Sequence, residues 1–344
     1  VDDKDLYIDK EALQHLLQRV KPIVYKRFNV PYENWVFFDG SYAYAFNGLY
    51  YWLEPFDAPQ EMALPAKQIE TMIAKTKSDK VYLLFGRDSV SVEIDGKQAD
   101  FNYPFRSIAY YMKSFYVETV PREDFIPVPS SITDAIKFCS KSIFPENVEY
   151  SNIYVVNGIA YASNGMRIAE AYCELPDTKL SIGIDKVLDA IGQEPESVLN
   201  KVHSLSFWFP SGLLSMSKNV GKPEAITNFI PDTQALTESF EITDSKSWMR
   251  ALKSAKAFDD EFKKKDMTLH IEVADSKAVI TTTGVKARYT QEIEDVPHTS
   301  AFEFDIHPDV LLPAIEMEAD VIFGDADFIC AVGQGKRMYM WVER

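Results

Sequence analysis

An internal period constrains this chain more than any other feature. Asp39–Glu54 reads DGSYAYAFNGLYYWLE, Asn157–Pro176 reads NGIAYASNGMRIAEAYCELP, and Asp275–Glu292 reads DSKAVITTTGVKARYTQE. Each stretch opens on a turn-forming residue pair and carries an inner glycine, at Gly48, Gly165 and Gly284. Asn-Gly between half-apolar runs, as at Asn164-Gly165, is a hairpin signal. The opening turns stand at residues 39, 157 and 275, two steps of 118 residues. Self-similarity at a fixed period means that one supersecondary pattern is built three times.

The flanking elements repeat with it. Ahead of each hairpin lies a helix with an apolar stripe at helical spacing. These are Asp9–Val20 (Leu13, Leu16, Leu17, Val20), Ser130–Lys141 (Ile132, Ile136, Cys139) and Asp244–Phe258 (Trp248, Leu252, Ala255). Behind each comes a shorter helix, at Pro65–Lys75, Asp185–Gly192 and Pro308–Met317, after the extended lead-ins MALP, LSIGI and FEFDIH. Pro65 and Pro308 suit a first helical turn. Pro313 is expected to kink or shorten the third of these helices. Alternating strands at Val81–Phe85, Val90–Ile94, Leu205–Phe209, Leu213–Met216, Val321–Phe323, Phe328–Val332 and Met338–Val342 close the units. The class is α+β: three repeated domains, each of two short helices packed on antiparallel sheet. Residues 1–120, 121–236 and 237–344 are the expected domains, joined by the Pro-rich stretches Thr119–Pro129 and Phe229–Ser239.

Charge narrows the function. With 36 basic and 52 acidic residues the net charge is −16, which repels nucleic acid on average. Any contact with DNA therefore requires the basic residues to be gathered on one surface. No run of about 18 apolar residues exists, so no membrane span is expected. The start VDDKDLYIDK lacks an apolar signal core, which argues against secretion. Cys139, Cys173 and Cys330 are odd in number and widely spaced, the pattern of buried thiols in a reducing cytoplasm.

No phosphate-binding loop, dinucleotide fingerprint, HExxH or GxSxG is present. The five histidines are scattered, His270 within a strand pattern, and Asp325 and Asp327 read as a turn between strands. No catalytic constellation, cofactor or metal is expected.

The basic residues carry more information. Lys246, Arg250 and Lys253 fall at i, i+4 and i+7, opposite Trp248 and Leu252. Lys137 and Lys141 lie opposite the Ile132 stripe, and Lys67, Thr71 and Lys75 opposite Ile69, Met72 and Ile73. Lys26-Arg27 follows the first helix, and Lys263-Lys264-Lys265 follows its counterpart in the third unit. One such face is ordinary solvated charge. Recurrence at equivalent places in an acidic chain points to a shared positive lining, made of Lys26, Arg27, Lys67, Lys137, Lys141, Lys246, Arg250 and Lys253. Asp309, Glu316 and Glu318 make the last helix acidic, so the lining is not uniform.

Four stretches carry a family resemblance: Ala63-Leu64-Pro65-Ala66-Lys67 with IETMIAK after it, Thr119–Phe125, the pair Tyr154–Gly158 and Ser163–Ala169, and Phe262-Lys263 with Thr268–Val273. In their order and spacing the chain resembles the sliding clamps of the bacterial DNA polymerase III β-subunit type, as a divergent, bacteriophage member. Departures are a long aromatic Phe105–Val117, Met166 where the family has His, and a tail MYMWVER without the family's Pro. The resemblance implies a cytoplasmic homodimer closed head to tail around double-stranded DNA, held without regard to base sequence. Such a ring has no catalysis of its own and tethers a polymerase for processivity. Polymerase and clamp loader would insert short linear motifs into a pocket between the second and third domains. Its walls would be Val156, Ser163, Gly165, Met166, Arg167 and Ile168, with Met338, Tyr339, Met340, Trp341 and Val342. Ring closure would use strands near Val90–Ile94 and Lys286–Ile293. The competing reading, a β-rich phage interaction or structural protein without a DNA role, gives no reason for basic helix faces to recur.

Overall fold

The repeated turns adopt the backbone that their residues suit. Gly40, Asn157 and Asp275 have φ of 97°, 51° and 50°, and Gly48 and Gly165 have 87° and 86°. Left-handed angles of this kind favour Gly, Asn and Asp. Around these turns each stretch is a meander of three strands. Trp35–Phe38, Tyr42–Phe46 and Tyr50–Pro55 form the first. Asn152–Val156, Ile159–Ser163 and Arg167–Tyr172 form the second. Leu269–Ala274, Lys277–Thr283 and Arg288–Glu294 form the third. Each lead-in strand, at Met62–Pro65, Thr178–Ser181 and Phe302–Ile306, returns to pair with the first strand of its meander.

The computed structural model describes residues 6–24, 34–86, 89–102, 122–129, 131–143, 152–175, 177–181, 183–201, 204–217, 224–257, 267–283, 288–325 and 327–342. Seven α-helices lie among them: α1 (Lys10–Val24), α2 (Ala66–Ile73), α3 (Ser131–Ser140), α4 (Ile184–Ile191), α5 (Glu224–Thr227), α6 (Ser245–Ala257) and α7 (Pro308–Glu316). The six longer ones match the sequence expectation closely. Helix α1 runs one turn beyond Val20, because Ile23 and Val24 continue its buried face. Helix α7 is not shortened by Pro313.

Capping follows from local chemistry. The Asp9 carboxylate accepts from the Ala12 N–H at 2.8 Å, and Asp244 Oδ1 accepts from the N–H groups of Lys246 and Ser247 at 3.0 and 3.2 Å. These bonds satisfy donors that a helix start leaves orphaned. Hydrogen bonds from Ser247 hold the Asp244 carboxyl below its usual pKa. Helix α4 ends at Gly192, φ 67°, the left-handed cap that glycine takes without strain.

The chain divides into two units, Val1–Ser130 with Gly183–Asn219, and Ser131–Ile182 with Val220–Arg344. In the first unit, an eight-stranded antiparallel sheet runs Met62–Pro65, Trp35–Phe38, Tyr42–Phe46, Tyr50–Pro55, Gly212–Ser217, Ser204–Phe209, Ser197–Asn200, Ile126–Pro127. Its four-stranded companion runs Tyr7–Asp9, Lys80–Phe85, Ser89–Ile94, Lys97–Asn102. In the second unit, the eight strands run Thr178–Ser181, Asn152–Val156, Ile159–Ser163, Arg167–Tyr172, Lys336–Trp341, Phe328–Gly333, Val321–Gly324, Glu238–Glu241. The four-stranded sheet there runs Arg288–Glu294, Lys277–Thr283, Leu269–Ala274, Phe302–Ile306.

One rule generates both large sheets. A four-stranded group meets another through the last strand of each, Leu53 opposite Leu213 in one case and Arg167 opposite Met340 in the other. Backbone ladders thus cross the sequence thirds, which is why residues 131–182 and 183–219 fall into different units. Two last strands, Lys97–Asn102 and Arg288–Glu294, have a neighbour on one side only among the described residues. Val90–Ile94 is not an edge, since its strand Ser89–Ile94 is flanked by Lys80–Phe85 and Lys97–Asn102.

The six longer helices pack on one face of the sheets and bury their apolar stripes there. Helix α1 packs on α2, α4 and the strand Tyr50–Pro55. Trp52 and Glu54 of that strand turn toward α1, where Arg19 binds both Glu54 carboxylate oxygens at 2.7 and 2.8 Å. The Trp52 indole N–H donates to the same carboxylate at 2.7 Å. This buried charge is tolerated because it is fully paired. In the second unit Trp248 of α6 stacks on Phe240, centroids 5.4 Å apart, and Phe302 and Phe304 extend the aromatic core. Cys139, Cys173 and Cys330 are buried and free.

Candidate functional site

The cation stripe of α6 has the geometry that its spacing requires. Trp248, Ala251, Leu252 and Ala255 are buried, while Lys246, Arg250, Lys253 and Lys256 are exposed along the opposite face. Packing of the apolar stripe fixes which way these four side chains point. Between α6 and α7 lies a cleft of about 410 Å³. Lys246, Arg250 and Lys253 line one wall, Glu316 and Glu318 the other, with Met249 and Ile315 between them. Lys137 and Lys141 are exposed on and just after α3, and Lys67 is exposed on α2. Lys26 and Arg27 lie outside the described residues, as do Lys263-Lys264-Lys265 and Phe105–Val117.

Several of these cations already have partners. Lys141 Nζ lies 3.2 Å from Glu316 Oε2 of α7, and Lys256 pairs with Asp309 of α7. In the other unit Lys21 of α1 lies 2.9 Å from Glu70 of α2. The acidic character of α7, legible in the sequence, thus falls directly against the basic faces of α3 and α6.

The turn at Asn164-Gly165 is locked by its own side chains. Asn164 Oδ1 accepts from the N–H groups of Met166 and Arg167 at 3.0 and 2.9 Å. The Ser163 hydroxyl accepts from the Gly165 N–H and donates to the Arg167 carbonyl, both at 3.1 Å. Met166 is left 47% exposed at the tip.

Beyond that turn, register decides direction. Opposite residues of an antiparallel pair share a face, and successive residues alternate. Arg167 faces Met340, and Ala169 faces Met338. All four are buried on the helix side. The Arg167 guanidinium donates from Nε to the Ser142 hydroxyl at 3.1 Å, and from Nη1 and Nη2 to the carbonyls of Asp309 and Lys141. Burial pulls the Arg167 pKa down, and the charges of Asp309 and Glu316 act the other way. Arg167, Met338 and Met340 therefore stand behind the sheet, apart from Ile168 and Tyr339 on its other face.

That other face carries an apolar cluster. Tyr154, Ile168, Ile226, Cys330 and Tyr339 form its buried part, and Tyr161, Ile230, Leu236, Val332 and Trp341 pack against it half-buried. Val156 and Ser163 share this face by register, opposite Ile159 and Ile168. Glu170 gives it a polar rim, accepting from the Tyr339 hydroxyl at 3.1 Å and lying 3.6 Å from Arg337. Val342 holds the Asp327 carbonyl through its N–H at 3.2 Å, beyond the last strand. Sequence reading missed Tyr154, Tyr161, Ile226, Ile230, Leu236, Cys330 and Val332. For Ile226, Ile230 and Leu236 the signal was the apolar content of a stretch whose Pro and polar residues suggested a connector.

The residues in turn and strand patterns behave as such. Asp325 caps its turn, accepting from the N–H groups of Asp327 and Phe328 at 2.8 and 3.0 Å. His270 lies on an open strand face with Nδ1 2.7 Å from Asp305 Oδ1. Among the described residues no helix is long and apolar enough to cross a membrane.

Comparison with known proteins places this arrangement. No protein-family model matches the chain, and no curated protein matches it by sequence. Solved structures do match along the whole length. A chain assigned as a DNA polymerase III beta subunit of Eubacterium rectale superposes with a TM-score of 0.80 at 12% identity, covering 98% of this chain and 99% of that one. DNA polymerase III beta chain of Streptococcus pneumoniae gives 0.79 at 9% identity, and subunit beta of Pseudomonas aeruginosa gives 0.75 at 13% identity, with the same coverage. Over 98% of its length the chain has the fold of the solved DNA polymerase III β sliding clamps.

Proposed function

We propose that this chain is a DNA sliding clamp, a non-catalytic processivity factor. Three domains of similar build, residues 1–120, 121–236 and 237–344, make up each copy. Two copies close head to tail, the edge Lys97–Asn102 of one pairing with the edge Arg288–Glu294 of the other. The same last-strand rule that joins Leu53 to Leu213 and Arg167 to Met340 supports this closure. The fold match over 98% of the chain carries the reading.

The enclosed DNA is double-stranded and is held through its phosphates, which give position without base sequence. Lys67, Lys137, Lys141, Lys246, Arg250 and Lys253, with Lys26 and Arg27, form the lining. Topological enclosure keeps the ring on DNA where phosphate contacts alone fail. Six to ten such contacts would lose roughly 10³–10⁵ in affinity between 50 and 200 mM salt. The apolar cluster at Ile168, Tyr339 and Trp341, with Met166 at its margin, receives short linear motifs of a polymerase and a clamp loader. Polarisable Met and large aromatic surfaces favour such docking.

The test is retention on closed circular DNA against the same DNA linearised, with the particle sized by light scattering. A dimer kept on circles and lost from linear ends at 200 mM salt is the expected outcome. Equal retention on both forms would sink the reading.

A further inference from the structure

We infer, resting on the clamp reading, that the carboxylates of α7 act as built-in competitors of DNA phosphate, holding Lys141 of the lining, and Lys256 on the same helix as Lys246, Arg250 and Lys253, in ion pairs. Lys141 is held by Glu316 at 3.2 Å, and Lys256 by Asp309. In each pair the acid is on α7 and the cation is on α6 or just after α3, so neither pair is incidental to one helix's spacing. Lys21 and Glu70 repeat the arrangement in the other unit, across α1 and α2. Three instances in two units make a pattern.

The exposure of these pairs sets how they act. Side chains of Lys141 and Glu316 are 43% and 40% exposed, and those of Lys256 and Asp309 are 44% and 54% exposed. Ion pairs so accessible contribute little stability and open at small cost. A phosphate passing within reach can take the lysine, and the carboxylate takes it back when the phosphate moves on. The lining thus exchanges partners along the duplex. Among the described residues Lys246, Arg250 and Lys253 make no ion pair, yet Glu316 and Glu318 face them across the cleft.

The experiment measures affinity for a short linear duplex against salt concentration, using the full chain and the variants Asp309→Asn, Glu316→Gln and both together. Neither change touches the Asp309 carbonyl that Arg167 holds, and circular dichroism checks that each variant keeps its fold although Arg167 loses the charges that offset its burial. Glu272→Gln is the control. Glu272 is exposed on a strand whose alternate residues Leu269, Ile271 and Val273 are buried, and it has the same charge to lose.

Freed lysines bind phosphate and release counterions, so each substitution is expected to steepen the salt slope by about 0.9 per copy in contact with the duplex, and the pair by about 1.8 per copy. Both also tighten binding at low salt, while Glu272→Gln leaves the slope alone. Slopes equal to that control would overturn the inference while leaving the clamp intact. Failure of the unaltered chain to stay on closed circular DNA longer than on the same DNA linearised would overturn the clamp reading itself.

Discussion

Arg167 supplies the hydrogen bond that Pro313 cannot make. A helical residue donates its N–H to the carbonyl four positions back, which for Pro313 is Asp309, and proline has no N–H to give. Arg167 Nη1 donates to that carbonyl, while Nη2 serves the Lys141 carbonyl just past the end of α3. One guanidinium thus satisfies two backbone acceptors that helix geometry leaves open. It does so from a strand 142 residues away in sequence.

Removing this side chain should be costly and should depend on the proline. Arg167→Ala is expected to destabilise the fold by about 2–4 kcal/mol, through unsatisfied buried acceptors and lost packing. In a Pro313→Ala background, where the backbone N–H is restored, the cost should shrink by about 1 kcal/mol. Urea denaturation of the four proteins of this cycle measures the coupling. Strict additivity would show that the carbonyl is satisfied in some other way.

The Arg19–Glu54 pair makes a similar demand on the first unit. Glu54→Ala strands the Arg19 charge and the Trp52 indole N–H, and is expected to cost about 3–5 kcal/mol. Replacing both charged residues with Met should cost less, since the Arg19 charge is then gone and only the Trp52 indole N–H is left without its acceptor. Thermal unfolding of the single and double variants distinguishes the outcomes.

Partner docking should follow the face, not the residue order. Leu236→Asp and Trp341→Ala are expected to weaken an apolar clamp-binding peptide by about tenfold or more. Reversal of Lys246, Arg250 and Lys253 to Glu should leave that affinity unchanged while impairing loading on DNA. Fluorescence anisotropy with a labelled peptide reads the first effect. Unchanged binding to both apolar variants would remove the cluster from consideration.

Buried thiols set an upper limit in pH. Burial raises Cys173 to about 11 and Cys330 to about 12, from a reference of 9.0. These are acids whose folded forms hold the proton more tightly, so the unfolded chain loses protons first as pH rises. Stability is therefore intact below about pH 9 and declines above it, by about 1.4 kcal/mol per pH unit for each such thiol. Urea midpoints at pH 8, 9 and 10 check the sign. Cys173→Ser and Cys330→Ala should flatten the decline.

Much of this molecule was legible residue by residue. The turns at Asn157 and Asp275, the cap at Asp244 and the stripe Trp248–Leu252–Ala255 depend on neighbours a few positions away. Local chemistry therefore sufficed to place them. The basic face of α6 was readable for the same reason, because its apolar stripe dictates which side meets water. The outer apolar face around Ile168 and Tyr339 was not. Strands Arg167–Tyr172 and Lys336–Trp341 are buried on both sides over residues 167–169 and 338–340. They consequently lack the alternation of polar and apolar residues that tells one face from the other.

What the sequence alone determined was the repeat, its elements and the sign of its helix faces, all consequences of short-range spacing. Tertiary structure decided which lysines are already paired, which strands are left as edges, and which way Arg167 points. Those outcomes turn on pairing register and on groups brought together from distant parts of the chain. A one-residue change of register would have sent Arg167 to the outer face and Ile168 behind the sheet. No local pattern in either strand forbids it.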